Sequence, residues 1–240
     1  MDEILILQQT EFMILAVAVN YTRIYGILPE QELDEKTFMY GMHEMIEKNI
    51  LKVEESNFVI QEPYRTAILS MKNAESILSM TGNDDSVDNT CFYLGEKIVV
   101  LEASTQDTSA IRISVHDRED LYKLLLEKGF LPEPFVEPDI ACLQQEDEMK
   151  ETLGGIVLSD EETMDNELIY AKYTVMVLQG NSEPEQRDVF LLNNPYNYWI
   201  AEEMDGETYF CHYDKETLYE KLNQLTDYGG ESEGGSYDIG

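Results

Sequence analysis

The chain has 240 residues, 43% of them apolar, which is enough for a sizeable core in one large domain or two small ones. Lysine and arginine number 16 against 49 aspartates and glutamates, so the formal charge is -33. A field of that sign repels phosphate backbones and anionic lipid surfaces and attracts basic partners, which argues against nucleic-acid binding. The same acidity also serves solubility or salt adaptation, and both uses stay open.

Cys91, Cys142 and Cys211 are odd in number, widely spaced and without a Cys-x-x-Cys pair. That pattern argues against a disulfide framework and a zinc site. Cys91 and Cys211 fall in strand-like runs and read as buried reduced thiols. The opening "MDEILILQQTEFMILAVAVN" is apolar, but it has no basic n-region, and Glu11 interrupts it. It is neither a signal peptide nor a membrane span, so the expected location is cytoplasmic.

Residues 1–80 read as mainly helical. Thr10 is the expected N-cap of "EFMILAVAVN". Asp34, or Thr37, caps "DEKTFMYGMHEMIEKN", whose Phe38, Met42, Met45 and Ile46 share one face. "ILKVEESNFVIQ" predicts a small hairpin around "EESN", and Pro63 opens a further helix, "YRTAILSMKNAESILSM". Helix, helix, hairpin, helix is a winged-helix pattern, whose usual use is DNA binding. Here the candidate recognition helix carries Glu35, Glu44 and Glu47 against Lys36 and Lys48, so the unit reads as a scaffold or a protein-binding surface.

After the loop "TGNDDSVDNT", "CFYLGEKIVVLEAS" predicts a hairpin turning at Gly95–Glu96, and "AIRISV" predicts a third strand. Asp117 is the expected cap of "REDLYKLLLEK", which Gly129 ends. Residues 132–167 hold twelve acids against Lys150 alone, with prolines at 132, 134 and 138, and read as an acidic linker or loop. Four strand candidates follow: "ELIYAKYTVMVLQG", "RDVFLLNN", "YNYWIAEE" and "ETYFCHYD". Asp214 caps a last helix, and the tail from Gly229 is low-complexity, with disorder expected.

One echo organises this pattern. "HDREDLYKLLLEKG", 116–129, returns 97 positions later as "YDKETLYEKLNQLT", 213–226. Asp117 falls on Asp214, Glu119 on Glu216, Leu121 on Leu218, Tyr122 on Tyr219 and Leu125 on Leu222. A capped amphipathic helix recurring after a strand suggests two related units that share one sheet. The expected class is α+β: a winged-helix-like helical element over 1–80, then two pseudo-symmetric antiparallel sheet-plus-helix halves over 91–131 and 168–228. The acidic stretch 132–167 lies between the halves, and the tail 229–240 follows them.

The search for chemistry finds no catalytic or metal constellation. His116 aligns with Tyr213 and His212 with Val115, so the two histidines do not form an equivalent pair. His43 reads as a partly buried helix residue. The sequence has no His-Glu-x-x-His, phosphate loop, Gly-x-Ser-x-Gly or calcium-loop spacing. No cofactor is expected. The candidate partner-binding residues are aromatics beside turns: Tyr196, Tyr198 and Trp199 near Pro195, and Phe130 and Phe135 in a proline-rich stretch. Core filling by Tyr198 or Trp199 is the competing reading.

The opening "LQQTEFMILAVAV", with its Thr-Glu-Phe entry into an apolar helix, and the two Leu-Tyr helices resemble the EspG-like accessory proteins of type VII secretion. The resemblance lies in organisation over most of the chain; the acidity and the 132–167 segment depart from it. It implies a cytosolic, non-enzymatic chaperone or targeting factor that binds a helical secretion substrate. The alternative is an acidic inhibitor or immunity protein that neutralises a basic enzyme or mimics nucleic acid. A winged-helix regulator ranks third, because the charge opposes DNA binding.

Overall fold

Strands rich in Val, Ile, Leu and Tyr on both faces need cover on both faces, and this chain folds to supply it. The computed structural model describes residues 4–21, 24–25, 33–55, 57–82, 90–103, 110–134, 169–178, 183–193, 198–204 and 207–226. An N-terminal unit runs β1 (Leu5–Gln8), α1 (Gln9–Ala18), α2 (Glu35–Glu47), β2 (Leu51–Glu54), β3 (Asn57–Ile60) and α3 (Tyr64–Lys72). A meander follows, with β4 (Ser76–Gly82), β5 (Thr90–Leu94), β6 (Lys97–Ala103) and β7 (Ala110–Asp117), then a 3-10 turn and α4 (Leu121–Glu127). A second meander has β8 (Ile169–Val177), β9 (Glu185–Asn193), β10 (Tyr198–Met204) and β11 (Glu207–His212), then α5 (Lys215–Thr226).

Among the described residues, nine strands make one antiparallel sheet in the order β1-β7-β6-β5-β4-β8-β9-β10-β11, and β2 and β3 form a separate hairpin. The class is α+β. No described helix is long and apolar enough to cross a membrane.

The sheet has a core on each face. On one face the N-terminal unit contributes Leu7, Phe12, Leu15, Met45, Ile68 and Met71, packed on Ile77, Tyr93, Val99 and Ile111. On the other, Leu121 and Leu125 of α4 and Leu218 and Leu222 of α5 pack on Leu78, Phe92, Val100, Tyr173, Val175 and Leu191. Ile169, Phe190, Leu192, Trp199 and Ala201 form a smaller cluster.

Several local expectations change. The chain makes a strand, β1, before its first helix. The N-cap of α1 is Gln8 rather than Thr10, and the Gln8 amide donates to Glu11 Oε2 at 2.8 Å. Glu11 is buried and also accepts from Lys48 Nζ at 2.6 Å, which ties α1 to the end of α2. The helix after Pro63 stops at Lys72, and Ser76–Gly82 is the central strand β4. Asn73 ends that helix, and Ile77, Leu78 and Met80 are buried, as befits a strand covered on both sides. Asp117 makes no capping bond; its carboxylate pairs with Lys97.

Other local signals act as read. Asp34 Oδ1 accepts from the Thr37 amide at 2.6 Å, and Asp214 Oδ1 from the Thr217 amide at 2.7 Å. The Thr37 amide holds the Asp34 carboxyl below its usual range. Gly129 has φ 75°, and the Phe130 amide returns to the Leu125 carbonyl at 2.8 Å, the bond pattern of a left-handed helix stop.

Tyrosines fasten the segments to one another. Tyr173 donates to the Phe130 carbonyl at 2.7 Å and Tyr213 to the Pro132 carbonyl at 2.6 Å, so the exit of the first half is held by the second. Burial pushes Tyr21 and Tyr198 up to about 12, and Tyr93, Tyr173 and Tyr213 also upward. A raised phenol pKa means that the folded state keeps its proton while the unfolded chain, near its ordinary 10.0, releases it. The stability from these tyrosines is therefore complete below pH about 10 and is lost as pH rises from about 10 to about 12. We expect melting temperature to fall through that window together with the rise of phenolate absorbance. Ionisation of all fifteen tyrosines near pH 10 in a chain that stays folded would contradict the burial.

Candidate functional site

Among the described residues, no group of three or more His, Cys, Asp or Glu is placed to hold a metal ion. His43 is exposed, 3.7 Å from Glu47. His116 Nε2 lies 2.8 Å from Ser114 Oγ. His212 is stacked on Trp199 at 3.9 Å between ring centroids, and both of its ring nitrogens are buried without a hydrogen-bond partner among the described residues. Cys91 is buried and Cys211 half-buried, with the Cys211 thiol pushed up by burial.

Three of the expected partner-binding residues are interior. Phe130 follows Gly129 into the core and packs edge-on to Phe92 at 4.9 Å. Tyr198 lies between Tyr170 at 4.6 Å and Tyr213 at 5.6 Å. Trp199 sits in the small cluster with Phe190 and Leu192. Neighbours on β10 point to opposite faces, so Tyr198 and Trp199 were opposite choices for burial. Both faces are covered there, and both side chains are packed. As a correction, Phe130, Tyr198 and Trp199 present no open contact surface. Phe135 and Tyr196 lie outside the described residues.

Exposed apolar side chains lie elsewhere: at Ile4, Ile6 and Val17 near the start of the chain, at Tyr170 and Tyr209, and on α2 and the hairpin that follows it. On α2, Met39 is 64% exposed, Tyr40 66% and Ile46 37%; on the hairpin that follows, Val53 is 54% and Phe58 57% exposed. The positions follow from the local geometry. Gly41, Met42 and Met45 form the buried stripe of α2, and Met39 and Tyr40 stand off it. Gly41 allows that helix to approach α1, since a Cβ there would meet Ile14 Cδ1 at 2.6 Å. In the hairpin, Leu51 faces Ile60 and Val53 faces Phe58, so the four share one side. Leu51 and Ile60 pack into the core, while Val53 and Phe58 continue the same side beyond it.

The surroundings are acidic. Glu35, Glu44, Glu47, Glu54 and Glu55 stand against Lys36, Lys48 and Lys52. Two of those lysines are already paired, Lys48 with Glu11 at 2.6 Å and Lys52 with Glu54 at 3.0 Å. Glu44 accepts from Tyr40 and holds its phenol above the ordinary value. The arrangement offers exposed apolar side chains on two elements that also carry these acids. It suits association with an amphipathic, basic segment.

The signal for this surface was present in the helical period. A core stripe through Phe38, Met42 and Met45 leaves Met39 and Tyr40 facing away. Ile46 was expected on the stripe and lies at its rim.

Replacing Met39 and Phe58 together with serine should change stability by no more than about 0.5 kcal/mol per site, because neither is part of the core. Urea denaturation checks this; a loss of several kcal/mol would place these side chains inside.

No protein-family model matches the chain, and no curated protein matches its sequence.

Proposed function

We propose that this protein is a non-enzymatic chaperone or targeting factor that holds a helical export substrate of a type VII-like secretion system. The observation that carries the reading is the exposed apolar side chains on α2 and on the β2–β3 hairpin, elements that also carry acids. A helical partner with an apolar stripe lays that stripe against Met39, Tyr40, Ile46 and Phe58. Basic residues beside the stripe meet Glu35, Glu44, Glu47 and Glu55. The unit that carries the surface is winged-helix-like in its order of helix, helix, hairpin, helix, and its charge directs it to protein rather than nucleic acid.

The architecture proposed for the rest is a duplication with pseudo-twofold symmetry. Each half is a four-stranded meander followed by a helix. Leu78 of β4 lies opposite Val175 of β8, 97 residues later, the spacing that relates the two helices. Tyr122 and Tyr219, also 97 apart, meet edge to face at 5.0 Å. A twofold axis brings equivalent residues together in this way. A double-mutant cycle on Tyr122→Ala and Tyr219→Ala should give a coupling of about 0.5–1.5 kcal/mol. Additive losses would remove the contact on the axis.

A second reading, an acidic inhibitor or immunity protein, is favoured by the charge of -33. Affinity purification of the tagged protein from its own host, at low and high salt, separates the two. The chaperone reading predicts a helical protein that survives high salt with the natural chain and is lost with Met39→Ser/Phe58→Ser. Recovery of only a basic enzyme that elutes as salt rises would transfer the assignment to the inhibitor.

A further inference from the structure

The helices do not cover the sheet to its edge. Cross-strand partners share a face, so the register sorts β1 and β7 residue by residue. Leu5 faces Ile113 and Leu7 faces Ile111, and all four are buried with the N-terminal unit. Ile6 faces Arg112, on the opposite side. That side is the side of α4. Arg112 faces Glu102 on β6, and Glu102 accepts from Lys128, just past α4, at 2.7 Å. The core of that face joins Ile98 and Val100 of β6 to Leu121, Leu124 and Leu125 of α4, and among the described residues it takes none from β7 or β1. Ile4 is 60% exposed and Ile6 58%, and Arg112 is exposed beside them.

We propose that this ledge of β1 and β7 is a docking site for an amphipathic helix of a partner protein, which sets its apolar stripe on Ile4 and Ile6 and a carboxylate from its flank on Arg112. Width selects a helix. Neighbouring strands lie about 4.8 Å apart, so two of them span about 10 Å. Helices packed side by side stand about 8–10 Å apart. A helix laid beside α4 therefore rests over β7 and β1, as a third member of the layer that α4 and α5 begin. The site shares no residue with α2 or the β2–β3 hairpin.

Charge selects the flank of that helix. Lys128 takes Glu102, and Arg112 has no ion pair among the described residues. Residues 4–8 and 110–116 contain no acid. A guanidinium there binds a carboxylate bidentately. The wider field of a -33 chain repels a strongly acidic partner, so the site admits one or two carboxylates beside the stripe. At contact the guanidinium decides, because the wider field is screened over about 8–10 Å. The preference is opposite in sign to that proposed for α2, so the two surfaces take different segments. A second copy of this chain is disfavoured, since two chains of charge -33 repel each other.

The test puts a photoreactive benzophenone side chain in place of Ile6 in the tagged full chain, irradiates it in its own host, and sequences the segment that cross-links. We expect a partner segment with apolar residues at i, i+3, i+4 and i+7 and an acid beside them. Arg112→Gln removes the charge and should cut the cross-linking yield about tenfold, the loss of one charge-assisted hydrogen-bonded pair. Arg112→Lys, which restores a cation, should recover part of that yield. Met39→Ser/Phe58→Ser should leave the adduct intact, so this site and the α2 surface fail separately. A cross-linked segment without that pattern, an adduct with a second copy of this chain or with lipid, a yield indifferent to Arg112→Gln, or no adduct at all would each overturn the docking site.

Discussion

The fold depends on the antiparallel pairing of β4 with β8. Seven residues of β4, Ser76 to Gly82, face Val177 to Ala171 without a break. This ladder joins the two meanders edge to edge, and the first meander's exit segment closes over the joint through Tyr173 and Tyr213. Apart, each half would expose the edge of its first strand and leave α4 or α5 with half a surface to cover. Together they bury Leu78, Tyr173 and Val175 completely. One continuous sheet also explains why the two helices meet at Tyr122 and Tyr219 above the joint.

The N-terminal unit is bound to this frame at three levels. Its strand β1 extends the sheet, its helices cover one face of the first half, and the buried carboxylate of Glu11 links the start of α1 to Lys48 at the end of α2. A buried acid with two donors is stable where an unpaired one is costly, so this contact makes the orientation of α2 specific. That orientation sends Met42 and Met45 inward and leaves Met39 and Tyr40 outward, as the proposed function requires. The exposed apolar side of the hairpin is the same side that roots it in the core.

Under the proposed function, acidity and apolar exposure divide the work of recognition. The long-range field of a -33 chain draws cationic partners and discourages self-association. It is screened over about 8–10 Å at physiological salt, so it acts on encounter more than on residence. Residence requires buried apolar area, and the described surface offers that at α2 and the β2–β3 hairpin. This division fits a carrier that must collect a basic, helical cargo and hold it. It is the physical content of the chaperone proposal.

What the sequence alone determined lies within a few residues of its cause. Asp34 and Asp214 cap helices because the donor amide is three residues away. Gly129 stops α4 because only its own φ is at issue. The four strands of the second half were legible because β-branched and aromatic residues cluster between turns. Only the tertiary structure decided the rest. Ile77, Leu78 and Met80 read equally well as helix, and became strand because β5 and β8 flank them. Leu5–Gln8 became an edge strand because β7 was there to pair with it. Asp117 pairs with a lysine on the neighbouring strand instead of capping. Trp199 and Tyr198, chosen as contact residues from their place beside a turn, are core because both sheet faces are covered. Burial depends on partners far away in sequence, and no local period records them.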